Sequence, residues 1–374
     1  MDGTADGGGV GGSRRLAVSR RAAVLDAVIE RGTVRVSDLA DELGVTPVTV
    51  RRDISDLADQ GLVRRVHGGA TRPEENDSAP NVRGERSLTN RVLGMLVPSL
   101  DYYWPGVVRG AEEEARALGL RVSLRGSVYE AADERPDIER LVSQVGVDGL
   151  LLAPTMGGVG GERMVEWLAH ASVPFVLLER TAAIGPHQAA VEAVVTDHVL
   201  GASMAIHHLA SLGHTHIGVA LSARSPHTPM MRRGWINSCE TLGLSISGVV
   251  DMSLPDRREA GIDAVLDEVI EQCLSTGTTA LLVHSDPEAI RLVQRCEDRG
   301  ISVPDQLSVV SYDDEMAGLS TPTLSAIRPP RRTIGRTAVN LLAARLADPG
   351  RPVHQVTVSP TLYVRESSGP PAAR

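Results

Sequence analysis

The sequence predicts an α/β protein in two parts: a small, mainly helical domain, then a large domain of parallel sheets flanked by helices. Three observations carry this expectation. After Thr89, short apolar runs alternate with helical stretches, the pattern of parallel strands covered by helices. Between Ser19 and Gln60 the apolar spacing is helical instead, interrupted at Gly32 and Gly44. Charge is also unevenly spread. Residues 13–72 hold 11 arginines against 8 acids, a net of +3, and the remainder holds 27 against 39, a net of −12. A length of 374 residues suits two domains.

Composition narrows the function classes. All 38 basic side chains are arginine and none is lysine. That excludes a P-loop G-K-[ST], a Schiff-base lysine and a kinase-type catalytic lysine. Hydrophobic residues at 42% and charged residues at 23% leave ample material for a core. Cys239, Cys273 and Cys296 form no C-x-x-C or Cys/His pattern, which argues against a disulfide framework or a zinc site and for a reducing compartment. Met1 to Gly12 lacks the basic-then-apolar order of a signal peptide. No apolar run reaches the length of a membrane span. The expectation is a cytoplasmic protein that does not associate with membranes.

The first domain is justified element by element. Ala23, Val24, Ala27 and Val28 recur at helical spacing from Ser19 to Glu30, and Gly32 ends that helix. Thr33–Val36 is strand-like. Ser37 can cap a second helix whose Leu39, Ala40 and Leu43 face inward, and Gly44 makes the turn. Thr46-Pro47 supplies a capping hydroxyl and a proline for the first helical position. The third helix, 47–60, should bury Val50, Ile54 and Leu57 and turn Thr49, Arg51, Arg52 and Ser55 elsewhere. Two short helices around a glycine turn form a helix-turn-helix, which offers the start of its second helix to base edges. Leu62–His67, followed by Gly68-Gly69, reads as a basic two-stranded wing.

Those residues resemble the DeoR-type helix-turn-helix, in the stretch GTVRVSDLADELGVTPVTVRRDISDLADQGLVRRVHGGAT. The resemblance covers about 55 residues and implies a partner, double-stranded operator DNA. The implied DNA-facing set is Ser37, Thr46, Pro47, Thr49, Arg51, Arg52, Arg64, Arg65 and His67. Asp53, an acid on the same helix, is expected to pair with an arginine rather than touch DNA. On this reading residues 1–13 are a disordered tail, 14–71 the winged helix-turn-helix and 72–90 a linker. The linker is rich in proline and polar residues and shows no amphipathic hinge helix.

The second domain offers strand candidates at 92–97, 122–124, 149–152, 175–178, 216–220, 280–283 and 307–310, with helices such as 106–118 and 162–170 between them. Such sheets bind ligands at the carboxyl ends of their strands. GGVGGE at 157–162 lacks the spacing of a phosphate-binding loop and reads as a flexible loop. The runs VDGLLLAPT, VPFVLLER, VVTDHVLGASMAIHHLASLGHTHIGVA, RRGW, GISVPDQLSVVSYDDEMAGLSTPTLSAI and IGRTAVNLL follow one another in the order of LacI-type sensor domains. That resemblance spans nearly all of 91–367 and implies a two-lobed domain of the type I periplasmic-binding-protein-like fold, with 368–374 as a disordered tail.

The same resemblance implies a ligand-binding set: Tyr102, Tyr103, Trp104, Arg180, Arg233, Trp235, Ser285, Asp286 and Asp313. Aromatic rings suit the C–H faces of a sugar, and Arg180 and Asp313 suit its hydroxyls. Ser285 replaces an Asn of the family pattern, and Pro329 stands where some members have a polar contact. Trp104 and Tyr312 fit either a core or a cleft, and Asp197 fits a helix cap. His207, His208, His214 and His216 sit close in sequence, but no Cys or carboxylate completes a ligand set, so no metal is expected there. No G-x-S-x-G and no catalytic carboxylate spacing appears. The expected protein is not an enzyme and uses no cofactor. It is a dimeric or tetrameric transcription repressor with a sugar effector, and a nucleobase or nucleoside is the alternative. A solute-binding protein and a sugar-phosphate enzyme are the rivals from other classes.

Overall fold

A computed structural model describes residues 10–59, 62–66, 68–71, 90–126, 133–256, 259 and 261–372. They fall into two compact units, 1–84 and 85–374. Among the described residues no helix is long and apolar enough to cross a membrane.

The first unit runs α1 (Val10–Arg31), β1 (Thr33–Arg35), α2 (Val36–Leu43), α3 (Pro47–Asp59), β2 (Arg64–Val66) and β3 (Gly69–Thr71). Val24, Val28, Leu39, Val50, Ile54 and Leu57 form its core, on the faces their spacing predicts. Three expectations need correction. α1 starts at Val10, inside the expected tail 1–13: it runs through Gly11 and Gly12 into 13–31, a stretch without Gly or Pro and rich in helix formers. Ser37 does not cap α2: Arg35 holds that position, and the Ser37 hydroxyl donates to Asp38. The wing has three strands, in the order β1-β3-β2, with Val34 opposite Ala70. The β1–β3 pairing explains Gly69, where a Cβ would stand 1.9 Å from the Val34 carbonyl oxygen. Gly44, at φ 62°, closes α2 while Val45 N–H donates to the Ala40 carbonyl, the left-handed cap that sets the turn into α3. The expected linker, apart from residue 90, lies outside the described residues.

The second unit is two α/β lobes. In chain order it continues with β4 (Val92–Val97), α4 (Trp104–Ala117), β5 (Arg121–Gly126), α5 (Arg135–Arg140), β6 (Gly149–Leu152), α6 (Gly158–Ala169), β7 (Phe175–Leu178), a small hairpin of β8 (Ala183–Ile184) and β9 (Ala189–Ala190), and β10 (Ala193–Thr196). There follow α7 (His198–Ser211), β11 (Ile217–Ser222), α8 (Thr228–Leu242), β12 (Asp251–Leu254), α9 (Ile262–Thr276), β13 (Ala280–His284), α10 (Asp286–Asp298), β14 (Ser308–Tyr312), β15 (Ser325–Arg328), α11 (Arg331–Ala347), β16 (Gln355–Val358) and β17 (Thr361–Tyr363). One lobe is the parallel sheet β16-β10-β7-β6-β4-β5, and the other is β12-β11-β13-β14-β15-β17, antiparallel only at β15–β17. Each sheet is packed with buried aliphatic side chains on both faces, which is why its strands read as continuous apolar runs.

Two boundaries shift. The glycines of 157–162 do not form a flexible loop: α6 begins at Gly158, and Gly161 lies so close to Met156 that a Cβ would stand 2.2 Å from its carbonyl oxygen. The sensor does not end at 367 either. Val309 N–H donates to the Ser367 carbonyl, Ser368 Oγ is 2.9 Å from His208 Nε2, and Gly369 exchanges hydrogen bonds with the Ser308 hydroxyl. Backbone groups of 367–369 thus complete the second lobe.

Candidate functional site

Two surfaces carry chemistry, one in each unit. In the first, Thr46 just before α3 and Pro47, Arg51 and Arg52 on it face solvent, and Thr49 is half-buried. Thr46 Oγ1 lies 3.4 Å from Thr49 N, a loose cap, and 3.0 Å from Thr49 Oγ1. Among the described residues neither Arg51 nor Arg52 pairs with an acid. Arg20, Arg21 and Arg31 do, with Asp53, Asp56 and Glu42. Asp53 is buried and takes Arg20 Nε at 2.5 Å, tying α1 to α3, so this acid is structural. Val48, 69% exposed on the same helix, is an apolar side chain absent from the expected set. Arg64 and Arg65 lie on β2, and His67 lies outside the described residues.

In the second unit, the carboxyl ends of β4, β7, β10, β11, β13 and β14 lead directly into Tyr102–Trp104, Glu179-Arg180, His198, His227, Ser285 and Asp313. Parallel strands of two sheets therefore aim their ends at one place, where open α/β sheets bind ligands. Two contacts join the lobes there: Asp286 N–H donates to Tyr102 Oη at 3.3 Å, and His198 Nε2 is 3.5 Å from Glu179 Oε2. Within the lobe of β4 and β7, Tyr103 Oη donates to Glu179 at 2.5 Å. Tyr102, Glu179 and Asp313 adopt φ of 60°, 52° and 101°, a strained backbone for non-glycine residues that tends to gather at functional sites.

Electrostatics follow from burial. Glu179 is fully enclosed, which disfavours its charge, yet His198, His227 and the Thr196 hydroxyl hold it below the usual carboxylate range. Burial and the nearby Asp286 push Asp313 up to about 8. Burial lowers His284 to about 4, and it holds His227 well below an ordinary histidine. His227 stacks on His198 at 4.0 Å, and His198 Nδ1 is 3.0 Å from Tyr312 Oη. Tyr312 in turn abuts Gly201 of α7, where a Cβ would come within 2.4 Å of its hydroxyl.

The expected ligand set divides accordingly. Tyr102, Tyr103, Arg180 and Asp313 meet at the strand ends. Arg180 is buried, donates to the Pro154 and Glu179 carbonyls, and lies over the Trp104 ring at 5.8 Å. Trp104 itself is core, 2% exposed at the start of α4. Trp235 is also core and not a cleft residue: it is 2% exposed, and its indole N–H donates to the Ile217 carbonyl. Arg233 points to solvent on the opposite side of α8. Ser285 and Asp286 serve the fold. Ser285 and Glu288 form the capping box of α10. The Asp286 carboxylate is fully buried and accepts from Ser311 Oγ and the amides of Asp314, Glu315 and Met316, which saturates it and fixes the loop after β14. Asp197 caps α7 through Leu200 N–H.

Glu179, His198, His227, His284 and Arg331 join the site without having been expected there. A usable signal existed for four of them: Glu179 directly follows β7, His198 and Arg331 open helices that follow strands, and His227 stands immediately before α8, whereas His284 is the last residue of β13. Of the four histidines weighed for a metal, His214 is bonded to Thr279, Ser308 and Gly369, and His207 to the Ser203 carbonyl.

Comparison with known proteins covers both units. Residues 20–76 match the model of the DeoR-like helix-turn-helix domain, and residues 206–368 that of the periplasmic binding protein-like domain. The chain is 23% identical over 341 residues to an arabinose metabolism transcriptional repressor of Geobacillus stearothermophilus, covering 88% of this chain and 90% of that one. It is 25% identical to the HTH-type transcriptional repressor PurR of Photobacterium profundum, covering 89% and 98%. Among solved structures, a LacI family transcriptional regulator from Enterococcus faecium with bound ribose superposes with a TM-score of 0.60 at 21% identity, over 75% of this chain and 99% of that one. A transcriptional regulator CelR–cellobiose complex does so at 0.64 and 19%, over 94% and 99%. The chain therefore joins a DeoR-like helix-turn-helix domain to a domain of the periplasmic binding protein-like fold, and over most of its length it is similar to transcriptional repressors.

Proposed function

We propose that the protein is a repressor whose operator affinity is set by a sugar-type effector held between the two lobes of the sensor. The observation that carries this reading is the convergence of Tyr102, Tyr103, Arg180 and Asp313 at the carboxyl ends of strands from both sheets. Rings supply faces for C–H groups, while a buried guanidinium and a buried carboxyl suit hydroxyls. The arabinose-named relative and the ribose and cellobiose complexes support a carbohydrate. A nucleobase or nucleoside is the second reading, favoured by the flat Tyr102 and Tyr103 rings and by the PurR-named relatives.

On the DNA side, Thr46, Pro47, Thr49, Arg51 and Arg52 meet the major groove, and Arg64, Arg65 and His67 lie near phosphates. Val48 suits a thymine methyl group. Two chains pair so that two readers meet two half-sites. The effector acts only through its preference for one arrangement of the lobes.

A thermal-shift screen of pentoses, hexoses, disaccharides, nucleobases and nucleosides tests the effector class, because a ligand of the native state raises the melting temperature by mass action. A sugar that shifts the wild type, releases operator DNA and does neither in Asp313→Ala supports the reading. A response confined to nucleobases or nucleosides replaces it with the second one. A full response in Asp313→Ala removes that residue from the site.

A further inference from the structure

We propose that Glu179, His198 and His227 form a binding site for a divalent transition-metal ion of the zinc class. One donor atom from each residue lies within 4.8 Å of the other two. Two imidazoles and a carboxylate are a donor set that zinc accepts while keeping a fourth position open. The 3.5 Å between His198 Nε2 and Glu179 Oε2 is already near the roughly 3.3 Å that a tetrahedral ion at zinc bond lengths imposes.

The second observation is a set of unsatisfied atoms. His198 is 3% exposed, and its Nε2 has no hydrogen-bond partner; His227 Nδ1 is likewise buried and unpartnered. Native interiors rarely leave such atoms without an occupant. The surroundings also match what metal ligands need. His198 Nδ1 lies 3.0 Å from Tyr312 Oη, and if that nitrogen carries the ring proton, Nε2 keeps its lone pair for an ion. Glu179 is oriented by Thr196 N–H at 2.9 Å, Thr196 Oγ1 at 2.7 Å and Tyr103 Oη at 2.5 Å. The Arg180 guanidinium, 3.4 Å from His227 Nε2, is a positive neighbour that weakens binding of any cation. Imidazole donors therefore favour zinc or cobalt over magnesium or calcium.

Position gives the site a consequence. Glu179 follows β7 of one lobe, whereas His198 opens α7 and His227 precedes α8 of the other. An ion shared by the three ties the lobes together. The inference does not depend on the effector being a sugar, and its test uses neither DNA nor effector.

The full chain is stripped with a chelator, dialysed and titrated with Co²⁺, reading the d–d absorption and the metal content after gel filtration, with Zn²⁺ as competitor. The expected result is one equivalent of cobalt, displaced by zinc. Binding should be lost in His198→Ala and His227→Ala and unchanged in the exposed control His207→Ala. Tyr312→Phe should weaken binding about 10- to 100-fold. Glu179→Gln and Tyr312→Phe keep side-chain shape and decide the matter if an alanine variant does not fold. The proposal is overturned if the wild type takes up no stoichiometric cobalt, or if uptake is the same in these variants as in the wild type.

Discussion

On α3 of the first unit, Arg51 and Arg52 stand in solvent and pair with no acid among the described residues, and the acid that follows them, Asp53, is occupied by Arg20. In the sensor the arrangement is inverted. Glu179, His198, Arg180 and Asp313 are buried, and burial together with neighbouring groups moves Glu179 below and Asp313 above the usual carboxylate range. On the proposed function the difference follows from the partners. A phosphate backbone is met by charges that stay hydrated until contact, whereas a small ligand is gripped by groups already desolvated and held in place. One contiguous helix suffices for the first task. The second needs residues from six strand ends.

The sharpest challenge to this contrast is Trp235, placed in the sensor core rather than at its binding surface. Trp235→Ala should destabilise the sensor by about 3–5 kcal/mol, as large-to-small changes of buried aromatics do, and urea unfolding measures it. A variant of unchanged stability that fails to respond to effector would return Trp235 to the cleft.

Arg52→Ala should cost about 1–3 kcal/mol of operator binding if the side chain reaches a base, or lower the salt slope by about 1 if it reaches a phosphate. Gel shifts across a salt series separate the two. The thermal response of the sensor to its ligand should not change. An unaltered gel shift would take Arg52 off the DNA-facing surface.

The smallest expected effect concerns pH. Asp313, raised to about 8, binds a proton in the folded state that the unfolded chain releases near 3.8; stability is therefore lost as pH rises towards 8. His284, lowered to about 4, works in the opposite direction between about 4 and 6.5. His227 is also lowered and adds to it. Stability should accordingly peak near pH 6.5 and fall by up to about 2 kcal/mol by pH 8. Asp313→Asn should flatten that alkaline fall, and urea midpoints at the two pH values check it. An equal fall in the variant would show that Asp313 is ionised in the folded state.

Much of this protein was legible in sequence. The strands at 149–152 and 175–178 match β6 and β7 residue for residue, since strands buried on both faces must be apolar throughout. The half-buried strands were harder to see. β16 and β17 carry polar residues on exposed positions and pair with strands far away in the chain.

For the reader, sequence alone determined nearly everything: helix spacing, the Gly44 turn, the Thr46-Pro47 start and the exposed arginines. All are contacts within a few dozen residues. For the sensor it determined the fold and four members of the strand-end cluster, but not which aromatics are core. Only tertiary structure could decide that Trp235 faces Ile217, that Asp286 spends its carboxylate on the loop at 314–316, and that His198 and His227 stack beside Glu179. Such roles depend on neighbours far apart in the chain, 114 residues for His198 and Tyr312 and 184 for Tyr102 and Asp286. Residue type and spacing show that a group can ionise or stack; whether it meets water, backbone or another charge is settled when distant strand ends are brought together.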